Sequence, residues 1–119
     1  MLWHPLTDVA QLSDILDLSN QQPGNYRAVV IFKHSTRCSI SSMALNRLES
    51  RWKDDDTIRM YYLDLLSHRD VSNEIASLFG VEHASPQVLV IKSGKCVYHA
   101  SHSGIVAADV LEATATQIQ

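Results

Sequence analysis

The sequence predicts an α/β fold in which a mixed central sheet is flanked by helices on both faces, and three observations carry that prediction. The run Ala28-Val29-Val30-Ile31-Phe32 is β-branched and apolar without alternation, the pattern of a strand covered on both faces. Strand-like and helix-like segments then alternate as far as Gly80, as parallel crossovers require. Finally, Gln87 to Lys92, the turn Ser93-Gly94 and Cys96 to Ala100 read as a hairpin, which adds an antiparallel pair. A chain of 119 residues has room for one domain, expected over residues 1–119. A composition 45% hydrophobic and 19% charged, with 4 Gly and 3 Pro, excludes disordered, collagenous and coiled-coil classes.

Each element has a local reason. Thr7 or Asp8 can cap a helix in which Val9, Leu12, Ile15 and Leu16 recur at helical spacing, and Ser19 to Gly24, with Pro23-Gly24, stops it. Arg27 to His34 is the expected middle strand. From Ser39 the stripe Ile40, Met43, Ala44, Leu48 and Trp52 predicts a second helix, closed by Lys53 and Asp54-Asp55-Asp56. Ile58 to Leu65 reads as a strand. Ser72 to Phe79 reads as a short helix with Ile75, Ala76 and Phe79 inward and Gly80 as its C-terminal cap. A last helix is expected within Val106 to Ile118 on the weak stripe of Val106, Val110, Leu111 and Ala113 or Thr114.

Ten Lys and Arg against thirteen Asp and Glu give a formal charge of −3, scattered along the chain, so nucleic acid is not an expected partner. No apolar run approaches the roughly 20 residues that span a bilayer, so no membrane is expected either. The start Met1-Leu2-Trp3-His4-Pro5 lacks the basic and apolar regions of a secretory signal, and the expected location is the cytoplasm. Two cysteines, Cys38 and Cys96, are too few for a disulfide scaffold, so cysteine chemistry in this chain would be catalytic or sensory.

Cys38 falls where the buried strand ends and the second helix begins, facing the free N–H groups and positive end of that helix. Such surroundings, with nearby cations, can bring a thiol from about 8.5 into the range of about 3.5 to 7.5 and make the thiolate a major species. Lys33, His34 and Arg37 add to that field, and Ser35 and Thr36 offer hydrogen bonds or a cap. The competing reading is that Cys38 is a small buried hydrophobe, as free cysteines often are. Ser85-Pro86 precedes the fourth apolar strand, where a proline's missing ladder donor is tolerated.

The segments Phe32-Lys33-His34-Ser35-Thr36-Arg37-Cys38-Ser39-Ile40-Ser41 and Glu82-His83-Ala84-Ser85-Pro86-Gln87-Val88 resemble the thioredoxin superfamily. With Asp70 to Ala76 and the tail Ser101-His102-Ser103-Gly104-Ile105, the chain more closely resembles the monothiol bacilliredoxins, redox proteins of the bacillithiol system. The resemblance implies a thioredoxin-like fold in which Cys38 and a cis Pro86 meet at one end of the sheet, with the Ser85 backbone free to pair with a substrate chain. It implies a monothiol thiol-disulfide oxidoreductase that removes bacillithiol from protein mixed disulfides. The partners would be bacillithiolated proteins and bacillithiol, the latter a co-substrate and not a bound cofactor, and the enzyme a monomer. Arg37 and Lys33 would then meet the two carboxylates of the bacillithiol malate. The family often has proline directly after the cysteine; here Ser39 stands there and adds a hydroxyl near the sulfur.

Dithiol oxidoreductases resolve their mixed disulfide with a second cysteine three residues on, where this chain has Ser41. Cys96, beyond the hairpin turn, is expected about 15 to 20 Å from the active end, outside the roughly 7 Å Cα reach of a disulfide. Two alternatives stay open: a redox-sensing or binding module capped by small thiols without turnover, and a glutathione-linked monothiol glutaredoxin, against which Ser39 argues because that class needs glycine after the cysteine. Six histidines form no tight four-ligand set, so no metal is expected. His102 could border the groove, Asp64 reads as a strand end, and Trp52, Tyr61 and Tyr62 read as packing residues.

Overall fold

The computed structural model describes residues 2–20 and 26–115. Its elements run β1 (Trp3–Pro5), α1 (Gln11–Asn20), β2 (Ala28–His34), α2 (Ser39–Arg51), β3 (Ile58–Asp64), α3 (Arg69–Phe79), β4 (Gln87–Lys92) and β5 (Lys95–Ser101), then a short 3₁₀ turn (His102–Gly104) and α4 (Ala107–Ala115). They build a five-stranded sheet in the order β1-β3-β2-β4-β5. β1 and β2 lie parallel to β3, whereas β4 is antiparallel to both β2 and β5, so the sheet is mixed as the sequence predicts.

Every residue of β2 is buried, because the strand is flanked on both edges by neighbours and on both faces by helices. Val29 and Ile31 pack with Leu12 and Ile15 of α1 and Val71 and Ile75 of α3. Val30 and Phe32 pack on the opposite face with Ala44 and Leu48 of α2 and Ala107 and Val110 of α4. Phe32, Ile31 and Leu48 lose all contact with solvent, each contributing about 2 kcal/mol of transfer free energy.

Local signals act as read at several joints. The Asp8 carboxylate accepts the Ala10 N–H at 2.8 Å ahead of α1. Gly80 closes α3 at φ 66°, a left-handed position that suits glycine. Ser93 and Gly94 turn β4 into β5 with φ of 52° and 74°, and Ser19 pins that turn by accepting the Ser93 N–H at 2.8 Å on its carbonyl and the Gly94 N–H at 3.0 Å on its hydroxyl.

The structure corrects other readings. β1, which no periodicity announces, adds a short edge strand beside β3. α3 begins at Arg69, one turn before Ser72. On α2 the inward face is Ser41, Ala44 and Leu48, while Ile40 and Met43 are 59% and 64% exposed, because at 3.6 residues per turn those two fall outside the arc that Ser41, Ala44 and Leu48 share. Val9 and Val106 stand just outside their helices and are exposed. The Pro23-Gly24 stop and the stretch of the last helix beyond Ala115 lie outside the described residues.

Candidate active site

β2 hands the chain to the site through a tight turn. The Cys38 N–H donates to the Ser35 carbonyl at 3.1 Å, and the Cys38 carbonyl accepts the Ser42 N–H at 3.1 Å to start α2. Cys38 is therefore the N-cap residue, extended at φ −104° and ψ 119°, and its side chain makes no capping hydrogen bond. The thiol is partly exposed and sits at the positive end of a thirteen-residue helix. Ser39 and Arg37 are exposed beside it.

The register brings the proline loop to the same place. β2 and β4 pair antiparallel with Lys33 opposite Gln87, so the next step along the ladder sets His34 opposite Pro86. The Ser85–Pro86 peptide is cis, as the resemblance implies. The Pro86 carbonyl accepts the His102 N–H at 3.1 Å, which ties the tail after β5 to the same end of the sheet. His102 has φ 54°, an uncommon left-handed value for histidine, and its side chain is exposed at the rim. Arg47 of α2 completes the ring of contacts, its guanidinium donating to the His102 and Ile105 carbonyls at 3.2 Å each. The sequence offered no signal for Arg47 beyond a charge on a helix.

Ser41 is fully buried one turn after Cys38, its Oγ 2.6 Å from His34 Nδ1 and 3.1 Å from the Ser35 N–H that donates to it. His34 is 5% exposed and stacks near Phe32 and Tyr62; burial holds it below its ordinary value, against the opposing pull of Asp64 and Glu49. Neither residue was singled out for this contact from sequence.

Lys33 is not where the bacillithiol carboxylates were expected to find it. Its position alternates with Val29 and Ile31, so it points beneath α3 with no solvent exposure. Its Nζ donates to the Ser72 carbonyl at 3.2 Å and lies 3.4 Å from His83 Nδ1. Burial pushes this amine down to about 8. Its expected role in holding a small thiol is withdrawn, and Arg37 is left as the exposed cation next to Cys38.

Cys96 pairs with Ile91, five residues along β4 from Pro86, or about 16 Å at the usual rise. Its thiol donates to the Tyr98 carbonyl at 3.3 Å, and burial raises it above its ordinary value. Asp64 accepts the Leu66 N–H and the Ser67 hydroxyl, so it shapes the turn after β3. Among the described residues no three His, Cys, Asp or Glu side chains converge as metal ligands. A cavity of about 520 Å³ lined by Tyr26, Trp52 and Arg59 lies at the start of β3, the end of the sheet remote from Cys38.

A half-exposed cysteine capping the helix that follows the central strand, opposite a cis proline, belongs to a thiol redox protein of the thioredoxin fold. Solved structures agree. One, described as an oxidoreductase candidate with a thioredoxin fold, superposes with a TM-score of 0.72 at 26% identity, covering 92% of this chain and 90% of that one. Thioredoxins of Fasciola hepatica and Malassezia sympodialis superpose at 0.68 each, with 18% and 16% identity; the alignments cover 94% and 96% of this chain and 96% and 89% of theirs. The family model for the monothiol bacilliredoxin BrxC matches residues 4–110. The chain belongs to that family.

Proposed function

We propose that the protein removes bacillithiol from protein mixed disulfides, with Cys38 as the single nucleophile. The carrying observation is the pairing of a partly exposed thiol at the N-cap of α2 with a buried hydroxyl, Ser41, where a dithiol enzyme has its resolving thiol. The Cys38 thiolate attacks the bacillithiol sulfur of the mixed disulfide. A new bond joins Cys38 to bacillithiol, the client sulfur leaves with the electron pair of the broken S–S bond, and it takes a proton from water. A second bacillithiol thiolate then attacks the adduct, releasing oxidised bacillithiol and returning Cys38. No metal or cofactor takes part.

Cys96 sits too far along β4 and too deep to intervene, which is why the second thiol comes from solution. Arg37 meets a malate carboxylate, and the Ser85 backbone and Pro86 receive the client chain. The reaction suits a reducing compartment such as the cytoplasm. The test is multiple-turnover reduction of a bacillithiolated protein by excess bacillithiol, with Cys38→Ser as control. Turnover lost in Cys38→Ser supports the reading. Stoichiometric trapping of one bacillithiol without turnover would overturn it in favour of a sensor, and equal rates with glutathione would overturn the choice of thiol.

A further inference from the structure

The support for the reactive sulfur lies one layer behind it. Ser35 is held at both of its backbone groups: its N–H donates to Ser41 Oγ at 3.1 Å, and its carbonyl accepts the Cys38 N–H at 3.1 Å. Ser41 thus reaches Cys38 through a single intervening residue. The Ser41 oxygen accepts the Ser35 amide and lies 2.6 Å from His34 Nδ1, where a neutral ring protonated on Nε2 would accept the Ser41 hydroxyl hydrogen. A neutral His34 with its proton on Nε2 fits this contact, with Ser41 as the donor.

His34 is surrounded on the α2 side of the sheet. Asp64 and Tyr62 face it from β3 and Glu49 from α2, the last held by the Trp3 indole N–H at 2.9 Å. Burial nevertheless keeps it below its ordinary 6.5, in accord with a neutral ring at neutral pH.

We propose that His34 and Ser41 act as a positioning pair that fixes the Ser35–Cys38 turn, and with it the sulfur, while His34 is neutral. This rests on Cys38 being the nucleophile assigned above. When the ring gains a proton on Nδ1, that N–H turns toward Ser41 Oγ and the hydroxyl hydrogen loses its acceptor. The oxygen must then accept from both the ring and the Ser35 amide while its own hydrogen has lost its partner in a buried site, which disfavours the arrangement that holds the Ser35 amide. The turn loosens, and Cys38 loses its alignment with the first amides of α2.

Alkylation of Cys38 by iodoacetamide, followed by mass spectrometry from about pH 5 to about pH 9 in a Cys96→Ser background, tests the pair. Ser41→Ala, shown to be folded by circular dichroism, is expected to lower the maximal rate by about tenfold, the scale of a small misplacement of a reacting group. His34→Leu is expected to do the same. His34→Asn keeps a polar atom near the place of Nδ1 without titrating, so it recovers most of the neutral-pH rate and lacks the extra acid-side fall expected of wild type. A folded Ser41→Ala protein alkylated at the wild-type rate would overturn the proposal, as would identical pH profiles for wild type and His34→Asn. Iodoacetamide requires neither client nor bacillithiol. A protein that alkylates as described yet fails to turn over bacillithiolated substrate would therefore refute the proposed function and leave the positioning pair standing.

Discussion

Replacing Lys33 by Met removes a cation that the fold buries between two partners bearing no negative charge, the Ser72 carbonyl and His83 Nδ1. Burial lowers the amine from 10.5 to about 8, which corresponds to at most about 3 kcal/mol of preference for the neutral form. Below about pH 8 the folded and unfolded chains both hold the proton and the full penalty is present. Between about 8 and 10.5 the unfolded chain binds more protons than the folded one, so stability against unfolding rises with pH; above that range the penalty is gone. Methionine keeps the length of the stem but leaves the Ser72 carbonyl unpaired, at a cost of about 1 kcal/mol. Near pH 7 Lys33→Met is therefore expected to be more stable than wild type by about 1 to 2 kcal/mol, and near pH 10.5 less stable by about 1 kcal/mol. Urea unfolding of both proteins across this range, read by tryptophan fluorescence, measures the difference. Subtracting the curves cancels the tyrosines and thiols that titrate in the same window. Parallel curves over the whole range would refute the reasoning, since a lysine whose proton affinity is unchanged by folding contributes no such divergence.

Three further outcomes are expected. Cys96→Ser should leave bacillithiol turnover within about twofold of wild type, because the thiol lies far along β4 and bonds only locally; a large loss in a steady-state assay would end the monothiol assignment. Ser41→Cys should acquire an internal disulfide with Cys38 on mild oxidation, visible by intact mass, since position 41, three residues after the N-cap, is where dithiol oxidoreductases carry their second cysteine. Gly80→Ala should cost about 1 kcal/mol in chemical denaturation: a methyl there meets nothing within 4 Å, so the strain of φ 66° is the whole effect.

Much of the fold could be read from hydrophobic pattern because β2 and β4 are apolar on both faces, a signal that admits few other interpretations. β1 escaped because three residues ending in proline carry no period, and its pairing with β3 is decided by tertiary packing. The helical stripe through Ile40 and Met43 misled for a different reason. The buried arc runs through Ser41, Ala44 and Leu48, so a polar residue holds the inward face and the apolar Ile40 and Met43 lie to one side of it. Charge alone suggests a surface cation at Lys33, whereas its parity with Val29 and Ile31 points inward. The places of Cys38 and Pro86 were legible because chain order fixes them, the cysteine at a strand-to-helix junction and the proline at a strand start. The His34–Ser41 contact was not, since seven positions of separation across a turn give no pattern that sequence alone reveals.

Arg47 bridges the two sides of the sheet end where Cys38 lies. It rides on the same helix that Cys38 caps, yet it grips two carbonyls of the segment whose amide holds Pro86. One side chain thereby cross-braces the helix that Cys38 caps and the tail that follows β5.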